Sequence, residues 1–249
     1  MTLGIGTPVA TLEALWAKHT VHLAEAPGGE PSGVKRFEGS DGEAGEPLTM
    51  CAVGDSMVAG CGTDDQSEGL VPDIAAGLAE RLHRDIAWQA HGKLGATMRR
   101  VRYRLLPEVL KEGKKFDILV ICAGSNDIMA NRTLDEWRAD LGAVLDEAKP
   151  LGEHIFVLSP GQMQHELSLG HALRRALEHE MDEQAAVSEE VCKQHGVAYV
   201  NMIHEDVHAD APDFFSPDHF HPSAAGYRYM SSGVADKFCS LMRGRDYDE

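Results

Sequence analysis

From residue 48 onward, two periodicities take turns along the chain. Short apolar runs at 48–53, 86–90, 116–123, 155–158 and 197–200 have the length and composition of strands. Between them, apolar residues recur every three or four positions, the spacing that lines one face of a helix. Leu70, Ile74, Leu78 and Leu82 mark the first such helix, and Met98, Val101, Leu105 and Leu106 the second. A third spans 133–148. A fourth carries Leu173, Leu177, Met181, Val187 and Val191 and stops at Gly196, a C′ glycine. The last presents Tyr227, Met230, Val234, Phe238 and Leu241. The run 116–123 is apolar almost without interruption, as a strand covered on both faces requires. Five strands alternating with helices predict a doubly wound parallel sheet with helices on both sides. Right-handed crossovers then gather the carboxyl ends of the strands on one edge.

Before residue 48 the pattern is weaker. Leu12, Leu15, Trp16 and His19 sit at helical spacing behind Thr11, which reads as an N-cap. A short helix on the flank of the domain is the plain reading; a lid or a dimer contact is the functional one. Residues 26–47 are rich in Gly, Pro, Glu and Ser and read as a connector or surface loop. The expected organisation is an N-terminal extension, 1–47, followed by a single α/β domain, 48–249.

Composition narrows the function classes. With 249 residues, 43% of them hydrophobic, the chain can bury one sizeable core. A formal charge of −17 repels phosphate backbones and anionic lipid, so neither nucleic acid nor a membrane surface is an expected partner. Arg99, Arg100, Arg102 and Arg104 form one basic cluster, but their spacing spreads them around a helix, as on a solvated surface. The five cysteines (Cys51, Cys61, Cys122, Cys192 and Cys239) show no CxxC spacing and suggest no disulfide framework. The first basic residue is Lys18, no signal-peptide pattern precedes it, and no apolar run reaches 18 residues. A cytoplasmic location is the expectation, with the oligomeric state left open.

The candidate chemistry starts at Gly54-Asp55-Ser56, where the first strand of the domain ends. A serine delivered to the carboxyl edge of a sheet can act as a nucleophile if a base, an orienting group and oxyanion donors join it. The α/β-hydrolase elbow requires a glycine two residues past the serine, and Val58 occupies that place. Near the end of the chain, Asp218 and His221 lie three residues apart, followed by Pro222. That spacing lets a carboxylate hold Nδ1–H and leave Nε2 free, the orienter–base arrangement of a serine triad. Alone, the same residues could equally be a polar loop facing water, and Ser56 a turn serine. Asn126, in Gly124-Ser125-Asn126-Asp127 after the third strand, offers a side-chain amide to a developing oxyanion, and Gly124 permits a tight turn there.

Gly54-Asp55-Ser56-Met57, Gly95, Gly124-Ser125-Asn126-Asp127 and Asp218-His219-Phe220-His221-Pro222, in this order, resemble the sequence blocks of the SGNH (GDSL-type) hydrolases. The resemblance covers residues 48 to about 243. It implies a flavodoxin-like three-layer α/β/α sandwich on a five-stranded parallel sheet, and an esterase or acylhydrolase with no cofactor. It assigns Ser56 as nucleophile, His221 rather than His219 as base, and Asp218 as its orienter. It also implies an oxyanion hole from the Ser56 N–H, the Gly95 N–H and the Asn126 side chain. Gly92 competes with Gly95, and the family's glycine close before a threonine favours Gly95. Asp55 and Asp127 are expected to brace their turns. His204, Asp206, His208 and Asp210 alternate like loose metal ligands, but hydrolase chemistry needs none, and no metal is expected.

A serine hydrolase of small or medium acyl esters is therefore the expected function, with a small-molecule ester as partner. Met57, Met129, Met163 and Leu167 lie in loops that could line an acyl pocket. Carbohydrate O-acetylesterase, thioesterase and lysophospholipase are alternatives on the same site. A sugar site would show a polar, aromatic-walled cleft, which 6% aromatic residues do not advertise. A non-catalytic binding protein with the same fold is the remote alternative.

Overall fold

The computed structural model describes residues 7–39 and 45–245. It begins with α1 (Pro8–Thr20), β1 (Ser32–Lys35), β2 (Leu48–Gly54), α2 (Leu70–Leu82) and β3 (Ile86–Gly92). A continuous helical stretch follows, composed of α3 (Met98–Arg100), a π-helical segment (Val101–Leu105) and α4 (Leu106–Lys111). Then come β4 (Phe116–Cys122), α5 (Ser125–Met129), α6 (Leu134–Ala148), β5 (Gly152–Leu158), α7 (His171–His195), β6 (Ala198–Val200) and α8 (Ala224–Arg245). The widened turn before Pro107 has a local cause: proline has no N–H to donate back and its ring crowds the preceding turn.

The sheet has six strands in the order β1-β3-β2-β4-β5-β6. Five are parallel, as the alternation predicted, and β1 adds to the β3 edge in antiparallel register, Ser32 opposite Gln89 and Lys35 opposite Ile86. The sixth strand corrects the five-strand expectation. It lies inside the Gly/Pro-rich stretch, where four residues of edge strand are too short to show a period.

Strand pleating sorts the apolar side chains into two cores. Met50, Ala52, Ile118 and Val120 face α2 and α8, where Phe156 and Phe238 stack at 4.1 Å. Cys51, Val53, Leu119 and Ile121 face the other way, onto Val101, Trp137, Leu141 and Val144. Trp137 is fully enclosed and its Nε1–H donates to Ser188 Oγ. Thr133 and Glu136 close a reciprocal capping box at the start of α6. All five cysteines are buried and free. Among the described residues, no helix is long and apolar enough to cross a membrane. Arg102 pairs with Glu147, and the Arg99 and Arg102 guanidinia lie over the Tyr103 ring, which accounts for much of the basic cluster locally.

α1 is present but differs from its sequence reading in two respects. Its N-cap is Thr7, whose side chain accepts from the Ala10 N–H, rather than Thr11. Its buried residues are Ala10 and Ala17, while Leu12, Leu15 and Trp16 face outward. Small side chains let α1 approach α7 closely, and proximity outweighed the apolar spacing. Glu13 then reaches the open N-terminus of α7 and accepts from the Leu173 N–H at 2.7 Å. That helix has no cap of its own and no acidic residue in its first turn, so a carboxylate from α1 serves there.

Candidate active site

β2 ends on Gly54, and the next residues fold into a tight turn at the carboxyl edge of the sheet. Asp55 N–H donates to the Cys122 carbonyl of β4 at 3.0 Å, and the Asp55 carboxyl accepts from Met57 N–H. Those bonds fix the turn that presents Ser56. The Ser56 Oγ makes no hydrogen bond within the described residues.

The loop before α8 carries the other half. Asp218 Oδ2 lies 2.7 Å from His221 Nδ1, and both side chains are almost fully buried. Oδ1 accepts from Ser216 Oγ, Phe220 N–H and His221 N–H, each at 2.8 Å. Oδ2 accepts a further bond, from the Ala24 N–H at 2.9 Å. Burial alone would raise the Asp218 pKa. The hydrogen bonds from the His221 side chain and from the Ala24, Phe220 and His221 amides outweigh it and hold the carboxyl well below the usual range. His221 Nε2 is buried without a partner, on the wall of a cavity that Ser56 also lines. The loop is tied to the nucleophile turn by Tyr227, whose hydroxyl donates to the Cys61 carbonyl at 2.7 Å. His219, the neighbouring histidine, is exposed on left-handed backbone with φ 57° and is not among the residues lining the cavity.

The oxyanion candidates fall on the same edge. Asn126 is the second residue of α5, behind the N-cap Gly124, whose φ of 151° fits the tight turn expected of it. Its Nδ2 donates to the Ala96 carbonyl at 3.0 Å, leaving a second N–H, and the residue lines the cavity. Neither the Ser56 nor the Gly95 N–H donates to an acceptor within the described residues. Gly92 has a different job: a Cβ there would run into the Ala59 backbone, so it lets β3 close on the nucleophile turn. If Asn126 supplies an oxyanion donor, Asn126→Ala should lower kcat by about 10²–10³-fold with little change in KM, measured by steady-state ester hydrolysis.

Asp127 braces as expected, accepting from Met98 N–H at 2.8 Å with Arg132 Nε 3.1 Å from its other oxygen. Asp55 carries a consequence for pH. Burial pushes its pKa up to about 7, against the Met57 hydrogen bond and the nearby His221. Because the folded value is raised, the neutral carboxyl favours the fold; that contribution is whole below about pH 4 and is lost as pH rises through about 7. Asp55→Asn keeps an acceptor for Met57 and removes the titration. Its unfolding free energy should gain on the wild type between pH 4 and 7, by at most about 1.4 kcal/mol per pH unit, in urea denaturation across that range.

Of the four residues expected to line an acyl pocket, two border the cavity beside Ser56. Met57 and Met129 line the cavity. Met163 does not: it is 0% exposed and packed among Leu169, Leu173, Leu177 and Met181, so it is a core residue. Leu167 is 62% exposed and lies outside the lining. In their place the walls hold Gln162 and Glu166, both buried, and Phe214, Phe215 and Phe220. Burial, and then the Asp218 charge, push the Glu166 pKa well above the usual carboxylate value. Its Oε2 and the Gln162 Oε1 are buried without partners. A sequence signal existed for both, since residues 159–166 follow β5 onto the same edge. In the 204–210 segment His204 pairs with Asp182 at 2.7 Å, His208 lies 3.6 Å from Asp206 and edge-on to the Tyr229 ring, and no three metal-binding side chains gather among the described residues.

A family model described as the GDSL-like lipase/acylhydrolase family matches residues 52–229, which include every residue of this constellation except Ala24. The chain belongs to that family. It is accordingly a carboxylic ester hydrolase. Solved structures share the fold. An α/β hydrolase enzyme from the metagenome of Lake Arreo, Spain, superposes with a TM-score of 0.59 at 20% identity, over 80% of this chain and 97% of its own. A variant of an acetyl xylan esterase from Geobacillus stearothermophilus gives 0.59 at 22% identity, over 78% and 96%. The lipase/acylhydrolase from Enterococcus faecalis gives 0.55 at 22%, over 76% and 94%. No curated protein matches the sequence.

Proposed function

We propose that this GDSL-family hydrolase cleaves esters of short acyl groups through an acyl-enzyme on Ser56. His221 Nε2 takes the Ser56 proton as Oγ attacks the ester carbonyl, and Asp218 steadies the imidazolium. The Ser56 and Gly95 amides and the Asn126 side chain receive the oxyanion. Collapse expels the alcohol, protonated by His221, and a water activated by the same base releases the acid. No cofactor enters the cycle.

The observation that carries this reading is the unpartnered His221 Nε2, oriented by Asp218 and facing the cavity that Ser56 lines. The short acyl length is supported by the size of the cavity, whose volume is about 40 Å³. At roughly 10–15 Å³ per water, it has room for about three water-sized groups. An acetyl group fits; a decanoyl chain or the tail of a lysophospholipid does not. In a p-nitrophenyl ester series, kcat/KM should be highest for acetate or butyrate and fall at least about tenfold by decanoate. Equal or rising activity toward decanoate would remove the short-acyl reading.

A second reading is favoured by Gln162 and Glu166, which line the cavity beside phenylalanine walls and each carry a buried oxygen without a partner. Buried polar groups without partners select ligands that can hydrogen-bond them. An O-acetylated sugar has hydroxyls beside its ester and would supply such bonds. It should then outrun p-nitrophenyl acetate in kcat/KM, and the advantage should vanish in Glu166→Leu.

A further inference from the structure

Residues 21–25 lie outside the stretch that matches the family model, yet they reach the candidate active site. The segment is held at both ends. On one side α1 packs on α7 and Glu13 accepts from Leu173 N–H. On the other, Gln66 N–H donates to the Gly28 carbonyl at 2.9 Å. Between these anchors Leu23 contributes to the cavity wall, and Ala24 N–H donates to Asp218 Oδ2 at 2.9 Å. That oxygen is the one 2.7 Å from His221 Nδ1. The three donors on Oδ1 all come from residues 216–221, so among the described residues Ala24 is the one hydrogen-bond donor that reaches the carboxylate from a distant part of the chain.

We infer that residues 21–25 form a strap that completes the site, with the Ala24 N–H positioning Asp218 for His221 and Leu23 closing the cavity beside Ser56. The inference rests on the assignment of Asp218 as the orienter of His221. Two donors on Oδ2 hold the carboxylate in one rotamer and share its charge. Without Ala24, Oδ2 would turn its whole charge on the imidazole. The imidazolium would be stabilised, and the carboxylate would have one fewer bond holding its plane. Glu166, Cys61 and Tyr227 feel the Asp218 charge and have pKa values raised foremost by burial. Asp55, pushed by burial up to about 7, interacts with His221 itself, so the acid limb is compared in an Asp55→Asn background, where that titration is absent.

Ala24→Pro removes the N–H and leaves a small side chain in place. In the folded variant kcat should fall about tenfold, and the acid limb of kcat/KM should move up by on the order of half a pH unit. Ala24→Ser, which keeps the N–H, should restore the wild-type limb. A folded Ala24→Pro enzyme with unchanged kcat and unchanged acid limb would overturn the inference. Amide hydrogen exchange tests the same bond without relying on the proline variant to fold. In the wild type the Ala24 amide should exchange at least about tenfold more slowly than those of His22 and Leu23, and the protection should disappear in Asp218→Ala. Exchange at the rate of its neighbours overturns the inference. Failure of the hydrolase reading shows separately, as a wild type no faster than Ser56→Ala, and amide exchange alone then decides for or against the strap.

Discussion

Ser56→Ala should reduce ester turnover by about a millionfold, and adding His221→Ala should cost almost nothing more. On the proposed mechanism the two residues act as one unit. Without Oγ there is no alkoxide for Nε2 to generate, and without Nε2 the Ser56 hydroxyl is an ordinary alcohol. What survives is the contribution of binding and of the oxyanion donors, about 10³-fold over water. The fold should be indifferent to the first change. Ser56 Oγ makes no hydrogen bond within the described residues, so alanine leaves no partner stranded. Denaturation midpoints of wild type and Ser56→Ala should therefore coincide while turnover on p-nitrophenyl acetate differs. A fluorophosphonate probe should label the wild type and neither variant. Retention of more than a tenth of the activity in Ser56→Ala would place the nucleophile elsewhere.

Asp218→Asn should lower kcat by about 10⁴-fold. Five donors converge on the carboxylate, three on Oδ1 and two on Oδ2. An amide supplies only one oxygen. If it faces the Oδ1 donors, its NH₂ points at Ala24 N–H and at His221 Nδ1. The imidazole must then accept at Nδ1 and carry its proton on Nε2, the tautomer that cannot take the serine proton. If it is flipped, three donors lose their acceptor. Either way the variant should also lose about 1–3 kcal/mol of stability, since a buried donor is left facing a donor. The check is kcat together with urea denaturation. A loss of stability with turnover intact would make Asp218 a loop brace rather than part of the catalytic machinery.

The parallel core of the fold was legible because its physics is local and repetitive. Strand runs such as 116–123 and helix stripes such as Leu70 to Leu82 repeat one period for a whole element. β1 was not, because four half-exposed edge residues give no period to read. α1 was visible as a helix but its buried face was not. The alanines that bury it carry little hydrophobic signal, whereas exposed Trp16 and Leu12 carry much. The Ser56, Asn126, Asp218 and His221 positions stood out because chemistry restricts residue type at fixed places after strands. The cavity walls were harder. Methionine at position 163 looks like a pocket residue and is core, while Gln162 and Glu166 look like surface residues and are buried. Burial of a polar side chain is decided by the tertiary surroundings, which composition does not encode. Contributions from Ala24 are invisible in principle, since the group involved is a backbone N–H that any residue except proline carries.

Ser56 and His221 are separated by most of the chain, and they line one cavity once α8, which follows the Asp218–His221 loop, is tied to the Ser56 turn through Tyr227 and Cys61. On the proposed mechanism, chemistry is thus deferred to the end of folding. A growing or refolding chain can pair β2, β3 and β4 and pack α2 while its serine is still an inert alcohol. Only docking of the last 30 or so residues supplies the base. Helical ellipticity should return before esterase activity does on dilution from denaturant, and a half-folded chain cannot hydrolyse the esters around it.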